Sequence, residues 1–196
     1  MASTYTSRLK LERQADGENS GNWGNLVNYV LNRIDSTVRG YVAVSVAGTA
    51  NVTLVSNTST NNTAEAADDQ VHNKVIELTG TLGASIHVFT DAVEGEYIIH
   101  NNTAGAYTLT FANTGHAANG IAITQGTKAI LYTNGSTIYN AISAAGSNTQ
   151  IQFNSSGVFA GSANLIFDGT NMIAAGTVTA QGGQLSTTGK SLVMGF

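Results

Sequence analysis

The segment NRIDSTVRGYVAVSV, residues 32 to 46, contains the point at which the apolar period of the chain changes. Up to Arg39 apolar side chains recur every three or four residues, and from Tyr41 they alternate with small or polar ones. The first period belongs to an amphipathic helix and the second to a half-buried strand. Arg39 and Gly40 stand at the switch, a cation and a flexible residue that suit a helix C-terminus.

Back from the switch, the spacing predicts a helix over Asn22 to Arg39. Trp23, Leu26, Val27, Val30, Leu31, Ile34 and Val38 fall on one broad apolar stripe, with Asn25, Asn28, Asn32, Arg33 and Ser36 opposite. Residues 18 to 22, ENSGN, offer capping oxygens and an acidic charge at the N-terminus. A stripe this wide needs a cover: the β region that follows, copies of the same helix about a symmetry axis, or both. The core under the helix is favoured over a partner contact for Trp23, the one tryptophan. Residues 1 to 21 read as an extended arm in which charge alternates with leucine, fit either to add a strand to a partner or to form a polar first strand.

Forward from the switch, nine short β-branched and aromatic runs lie between Tyr41 and Ile142, separated by Gly, Asn, Asp and Ser turns. Turns every 8 to 12 residues or so predict a mainly β fold, with residues 41–142 as an antiparallel sandwich or jelly-roll-like domain. Ser56 to Gln70 lacks apolar periodicity and reads as a long exposed loop.

Beyond residue 145 the texture changes and a repeat appears. IQFNSSGVFAG (151–161) and LIFDGTNMIAA (165–175) align without gaps, and a looser third unit falls in 183–196. Each unit predicts a hairpin turning at Asn154-Ser-Ser-Gly or Asp168-Gly-Thr-Asn. Ile151, Phe153, Val158, Phe159, Leu165, Phe167, Met172 and Ile173 then present an apolar surface that so short a segment cannot bury alone. Residues 146–196 are therefore expected to form an elongated shaft with other copies of the chain, with Gly157, Gly161, Gly169 and Gly176 at tight turns and close backbone approaches.

Composition excludes several functions. Only 10% of the 196 residues are charged, and there is no proline or cysteine, so thiolate chemistry is ruled out. Residues 1–40 hold five Lys or Arg against four Asp or Glu, whereas residues 41–140 hold two against seven. With no basic cluster beyond residue 13, nucleic-acid binding is not expected. No run is long enough for a membrane span, and the N-terminus lacks a signal-peptide core. His72, His87, His100 and His116 are not spaced as metal ligands, and neither Asp68-Asp69 nor Glu94/Glu96 sits in an oxygen-rich loop. No cofactor and no catalysis are expected.

LKLERQADGENSGNWG (9–24), GYVAVSVAGT (40–49) and TQIQFNSSGVFAGSANLIFDGTN (149–171) together resemble tailed-bacteriophage tail-fibre proteins, particularly those of marine and cyanobacterial phages. The resemblance implies a homotrimeric virion component, assembled in the host cytoplasm, whose N-terminal part docks on the tail and whose C-terminal part projects toward the host. Tyr5, Arg8, Leu9, Lys10, Leu11 and Arg13 are then the candidate virion anchor. Its partners would be tail, baseplate or adaptor proteins, a further fibre protein at the C-terminal end, or a host-surface glycan. The alternatives are a head fibre or decoration protein and a carbohydrate-binding module stacking sugars on Tyr97, Tyr107, Tyr132 and Tyr139. A depolymerase lacks paired carboxylates on repeat coils.

Overall fold

A computed structural model describes residues 4–57 and 69–175 of the chain. It divides into two compact units, Met1–Ile142 and Ser143–Phe196. The described residues are mainly β, with one α-helix.

The first residues pair with themselves instead of extending as an arm. Strands β1 (Thr4–Tyr5) and β2 (Glu12–Arg13) form a small antiparallel ladder, and the Thr6 amide donates to the Leu11 carbonyl at 2.9 Å. Helix α1 (Trp23–Arg39) follows almost as its spacing predicts. The capping expected from residues 18–22 is absent: the Asn22 side chain makes no cap hydrogen bond, and no acidic residue lies in the first turn. Arg39 occupies the last turn, and the Gly40 amide closes it on the Ser36 carbonyl at 2.7 Å.

After α1 come β3 (Tyr41–Ser45), β4 (Val52–Thr53), β5 (Val75–Thr81), β6 (Ile86–Thr90), β7 (Glu94–Ala104) and β8 (Leu109–Asn113). The unit ends with β9 (Ile121–Ile123), β10 (Lys128–Asn134) and β11 (Ile138–Asn140). One sheet has the order β11-β10-β7-β5-β3 and the other β4-β6-β8-β9. From β3 to β8 the chain changes sheet after every strand. The β3-β5-β7 and β4-β6-β8 pairs are therefore parallel, and only the additions of β9, β10 and β11 are antiparallel. The expected antiparallel sandwich is thus corrected to a pair of mixed sheets wound as three coils. A parallel pair needs a crossover, and here the strand in the other sheet supplies it.

The register places like residues on top of one another. Val42, Ile76 and Ile99 align across the first sheet, and Val88 faces Phe111 across the second. All five are buried in one apolar cluster with Leu54, Ile86, Leu109, Leu131 and others from both sheets. Full burial of such side chains stabilises by roughly 1.5–3 kcal/mol each. The region expected to be one long loop, Ser56 to Gln70, lies outside the described residues from 58 to 68. Its ends are tied together, since the Val71 amide donates to the Val55 carbonyl at 3.1 Å and the Val55 amide to Gln70 Oε1 at 2.9 Å.

The second unit is a three-stranded meander, β12 (Gln150–Ser155), β13 (Val158–Phe167) and β14 (Met172–Ala174), in the order β12-β13-β14. The two repeats share β13, so it serves both hairpins. At the first corner Ser155 pairs with Val158 around Ser156 and Gly157, whose φ angles of 54° and 89° define a type I′ turn. At the second, Asp168 Oδ1 accepts from the Thr170 and Asn171 amides at 2.9 and 2.7 Å. The third repeat, 183–196, and Gly176 lie outside the described residues.

Candidate functional site

Helix α1 carries three stripes, each built on steps of three and four. Leu26, Tyr29 and Arg33 are buried, and they form the inner face. Asn25, Asn28, Asn32, Asp35 and Arg39 are exposed and form a complete polar face. The third stripe is apolar and uncovered: Trp23 is 64% exposed, Leu31 56%, Ile34 40% and Val38 63%, with Val27 and Val30 partly buried beside them. Of the seven apolar helix residues named from the sequence, only Leu26 is buried. The preference for Trp23 in the core is not met in the single chain. Between α1 and the side chains of Glu12 and Gln14 lies an open groove of about 360 Å³, floored by Trp23, Leu26, Val27, Val30 and Leu31.

Arg33, placed on the outer face by sequence reasoning, is instead the centre of a buried polar cluster. Its Nε lies 2.7 Å from Asp69 Oδ2, and Asp69 Oδ1 lies 2.6 Å from His72 Nδ1. Arg33 Nη1 donates to the Leu9 and Lys10 carbonyls at 2.9 and 3.3 Å, and Nη2 to the Tyr29 hydroxyl and the Asn57 carbonyl. The guanidinium also sits 4.7 Å from the centre of the Tyr29 ring. His72 Nε2 faces the Arg8 carbonyl at 3.4 Å. One ion pair thus joins the N-terminal hairpin, the helix and the base of the 57–69 segment. Burial raises the Tyr29 phenol above its ordinary value, with Arg33 opposing.

This cluster accounts for the backbone of the predicted anchor residues. The Arg8, Leu9 and Lys10 carbonyls point into it, and Leu11 donates its amide to Thr6 Oγ1 at 2.8 Å. Among the anchor side chains, Arg8 forms an exposed ion pair with Glu94 at 3.2 Å, and Arg13 is exposed. Tyr5 and Leu9 are half-buried. Sequence reasoning missed Tyr29, Arg33, Asp69 and His72. One signal was available for Arg33: it falls off the complete polar stripe of 25, 28, 32, 35 and 39.

The outer face of the five-stranded sheet brings together a second group. Tyr132 and Tyr139 pair across β10 and β11 with ring centroids 4.9 Å apart and planes 17° from parallel. Beside them Glu96 bonds Lys74 at 3.0 Å. On the same sheet Glu77 accepts from the Tyr41 hydroxyl and from Asn102 Nδ2, the latter at 2.7 Å, and lies 3.4 Å from His100 Nδ1. The Tyr41 and Asn102 hydrogen bonds hold the Glu77 carboxyl below its ordinary range. Tyr97, offered from the sequence as a sugar-stacking residue, is instead core: it is buried against Phe111 and its hydroxyl bonds Thr90 Oγ1 at 2.9 Å. Tyr107 is exposed.

In the second unit no described residue is buried. Val158 is 66% exposed, Phe159 76% and Met172 68%, and Phe153, Phe167 and Ile173 are also exposed, while Ile151 and Leu165 are half-buried.

No family model matches the chain, and no match was found among the curated proteins or the solved structures compared with it. Among the described residues no helix is long and apolar enough to cross a membrane.

Proposed function

We propose that this chain is a structural virion protein, a homotrimeric tail-fibre subunit that attaches to the tail through its N-terminal hairpin and projects its C-terminal hairpins toward the host. The observation that carries the reading is the second unit: a single-layer sheet in which no described residue is buried. Six exposed large apolar side chains among the described residues of so small a sheet far exceed the scattered exposure of ordinary surfaces. Other copies of the same sheet supply the missing layer; two sheets face to face can already form a core, and the resemblance to phage fibres is what favours three copies over two. The resemblance of residues 9–24 and 149–171 to phage fibres selects the setting, with tail, baseplate or adaptor proteins at one end and a further fibre chain or host surface at the other. The reading assigns no catalysis and no cofactor.

The test is the mass of the whole chain in solution by light scattering. A particle of three 20.2-kDa chains is expected, and a monomer at micromolar concentration overturns the reading. Arg8→Ala combined with Arg13→Ala, which changes two exposed side chains and keeps the backbone around Arg33, is expected to leave that oligomer intact and to reduce its incorporation into particles.

A second reading, glycan contact during adsorption, is favoured by the exposed Tyr132 and Tyr139 stack beside Glu96 and Lys74. Flat aromatic faces next to hydrogen-bonding groups suit sugar rings. Loss of glycan-array binding in Tyr132→Ala is its check.

A further inference from the structure

The uncovered stripe of α1 has the spacing of a coiled-coil seam. Val27, Leu31, Ile34 and Val38 are four, three and four residues apart, which places Leu31 and Val38 at a positions and Val27 and Ile34 at d positions. Resting on the trimeric reading above, we propose that this seam packs in register against the same seam of two further copies of the chain. The first unit then carries an assembly contact of its own, in addition to the one the hairpins require.

Three observations select copies of this chain as the occupant. Leu at a followed by Ile at d favours three- or four-helix assemblies over two. The flanking e and g positions are Asn28, Val30, Asp35 and Thr37, with one charge among them. In a parallel, in-register bundle each Asp35 meets the Val30 of a neighbour, so no like charges are opposed, and a foreign charged partner finds only Asp35 to pair with. Finally, the exposed parts of Trp23, Leu31, Ile34 and Val38 leave on the order of 400 Å² of apolar surface per chain. That is about half of what a stable two-chain interface buries on each side. The seam therefore suits an assembly whose remaining contact lies elsewhere in the same chains, as it does if the hairpins associate. The polar stripe next to it shows that the helix does distinguish a solvent face, and the seam is not it.

The chain contains no cysteine, so one introduced cysteine reports on its neighbours alone. Ile34→Cys and, separately, Val38→Cys are made in the full-length chain and mildly oxidised, with Asn32→Cys on the polar stripe as control. A disulfide forms only where Cα atoms come within about 7 Å. Linked pairs, with a third chain left unlinked, are expected at positions 34 and 38 and not at 32. If the protein has trimeric mass and neither seam cysteine links, the inference is overturned, the face belongs to a different occupant, and the trimeric reading stands. Monomeric mass overturns both.

Discussion

Arg33 and Asp69 meet at 2.7 Å with their side chains 1% and 11% exposed, the one described ion pair of an Arg or Lys that is nearly free of water on both sides. The partner charge on each holds the other in place, and the Leu9, Lys10 and Asn57 carbonyls and the Tyr29 hydroxyl accept from the two Nη groups. Asp69→Asn keeps the shape and removes the counter-charge, leaving the guanidinium buried without compensation. A loss of about 3–5 kcal/mol is expected by urea unfolding. Arg33→Met with Asp69→Leu, which removes both charges, is expected to lose less than either single change. A double variant as unstable as Asp69→Asn would refute the assignment of that cost to an unpaired charge.

The first hairpin corner depends on two residues in the left-handed region, Ser156 and Gly157. Adding a Cβ at Gly157 meets no neighbour, so the cost of Gly157→Ala is purely conformational. About 1–2 kcal/mol per chain is expected, read as a lower thermal midpoint of the protein. An unchanged midpoint would mean that this corner contributes nothing to stability.

Asp168 holds the second corner by accepting the Asn171 and Thr170 amides, which keep its carboxyl below its ordinary value of 3.8. A folded-state value below the unfolded one gives stability that is complete above the unfolded value and is lost as pH falls through the folded one. The Thr170 and Asn171 amides are therefore expected to lose exchange protection only in acid below the ordinary carboxylate range. Asp168→Ala should remove the pH dependence, and its persistence in that variant would assign it to another group.

Tyr132 and Tyr139 are directly opposite across β10 and β11, and their rings stack. A double-mutant cycle of Tyr132→Ala and Tyr139→Ala is expected to give a coupling of about 0.5–1.5 kcal/mol. A coupling near zero would free both rings for outside contacts.

The helix and the hairpins were legible in the sequence because their signals are local: a 3.6 period from Trp23 to Arg39, and turn residues at Ser156-Gly157 and Asp168-Gly169. The strand stretches of the first unit were legible too, but not their direction. Alternation of inward and outward side chains is the same in parallel and antiparallel sheets, and the spacing of turns is the same in a meander as in a wound coil. What separates them is likeness between coils in register. IELTGTLGASIHVFT (76–90) and IHNNTAGAYTLTFAN (99–113) stack at a constant offset of 23 in both sheets. Few residues are identical, since the stacking conserves only Ile76 over Ile99 and large apolar residues such as Ile86 over Leu109. The first coil conceals the period further, with offsets of 34 and 36. The Arg33 cluster was illegible for a different reason: Asp69 and His72 lie 36 and 39 residues from Arg33 along the chain, and only the fold brings them to it.

The closure of the 57–69 segment at its base makes that segment a splice point. Val55 with Val71 and Val55 with Gln70 fix the two chain ends by their own hydrogen bonds, whatever number of residues runs between them. Lengthening a closed loop is inexpensive, about 0.6 kcal/mol for each doubling. Foreign peptide, or a whole folded module with neighbouring termini, can therefore be carried there while the coils register as before. In a trimer the same cargo would be displayed three times per particle.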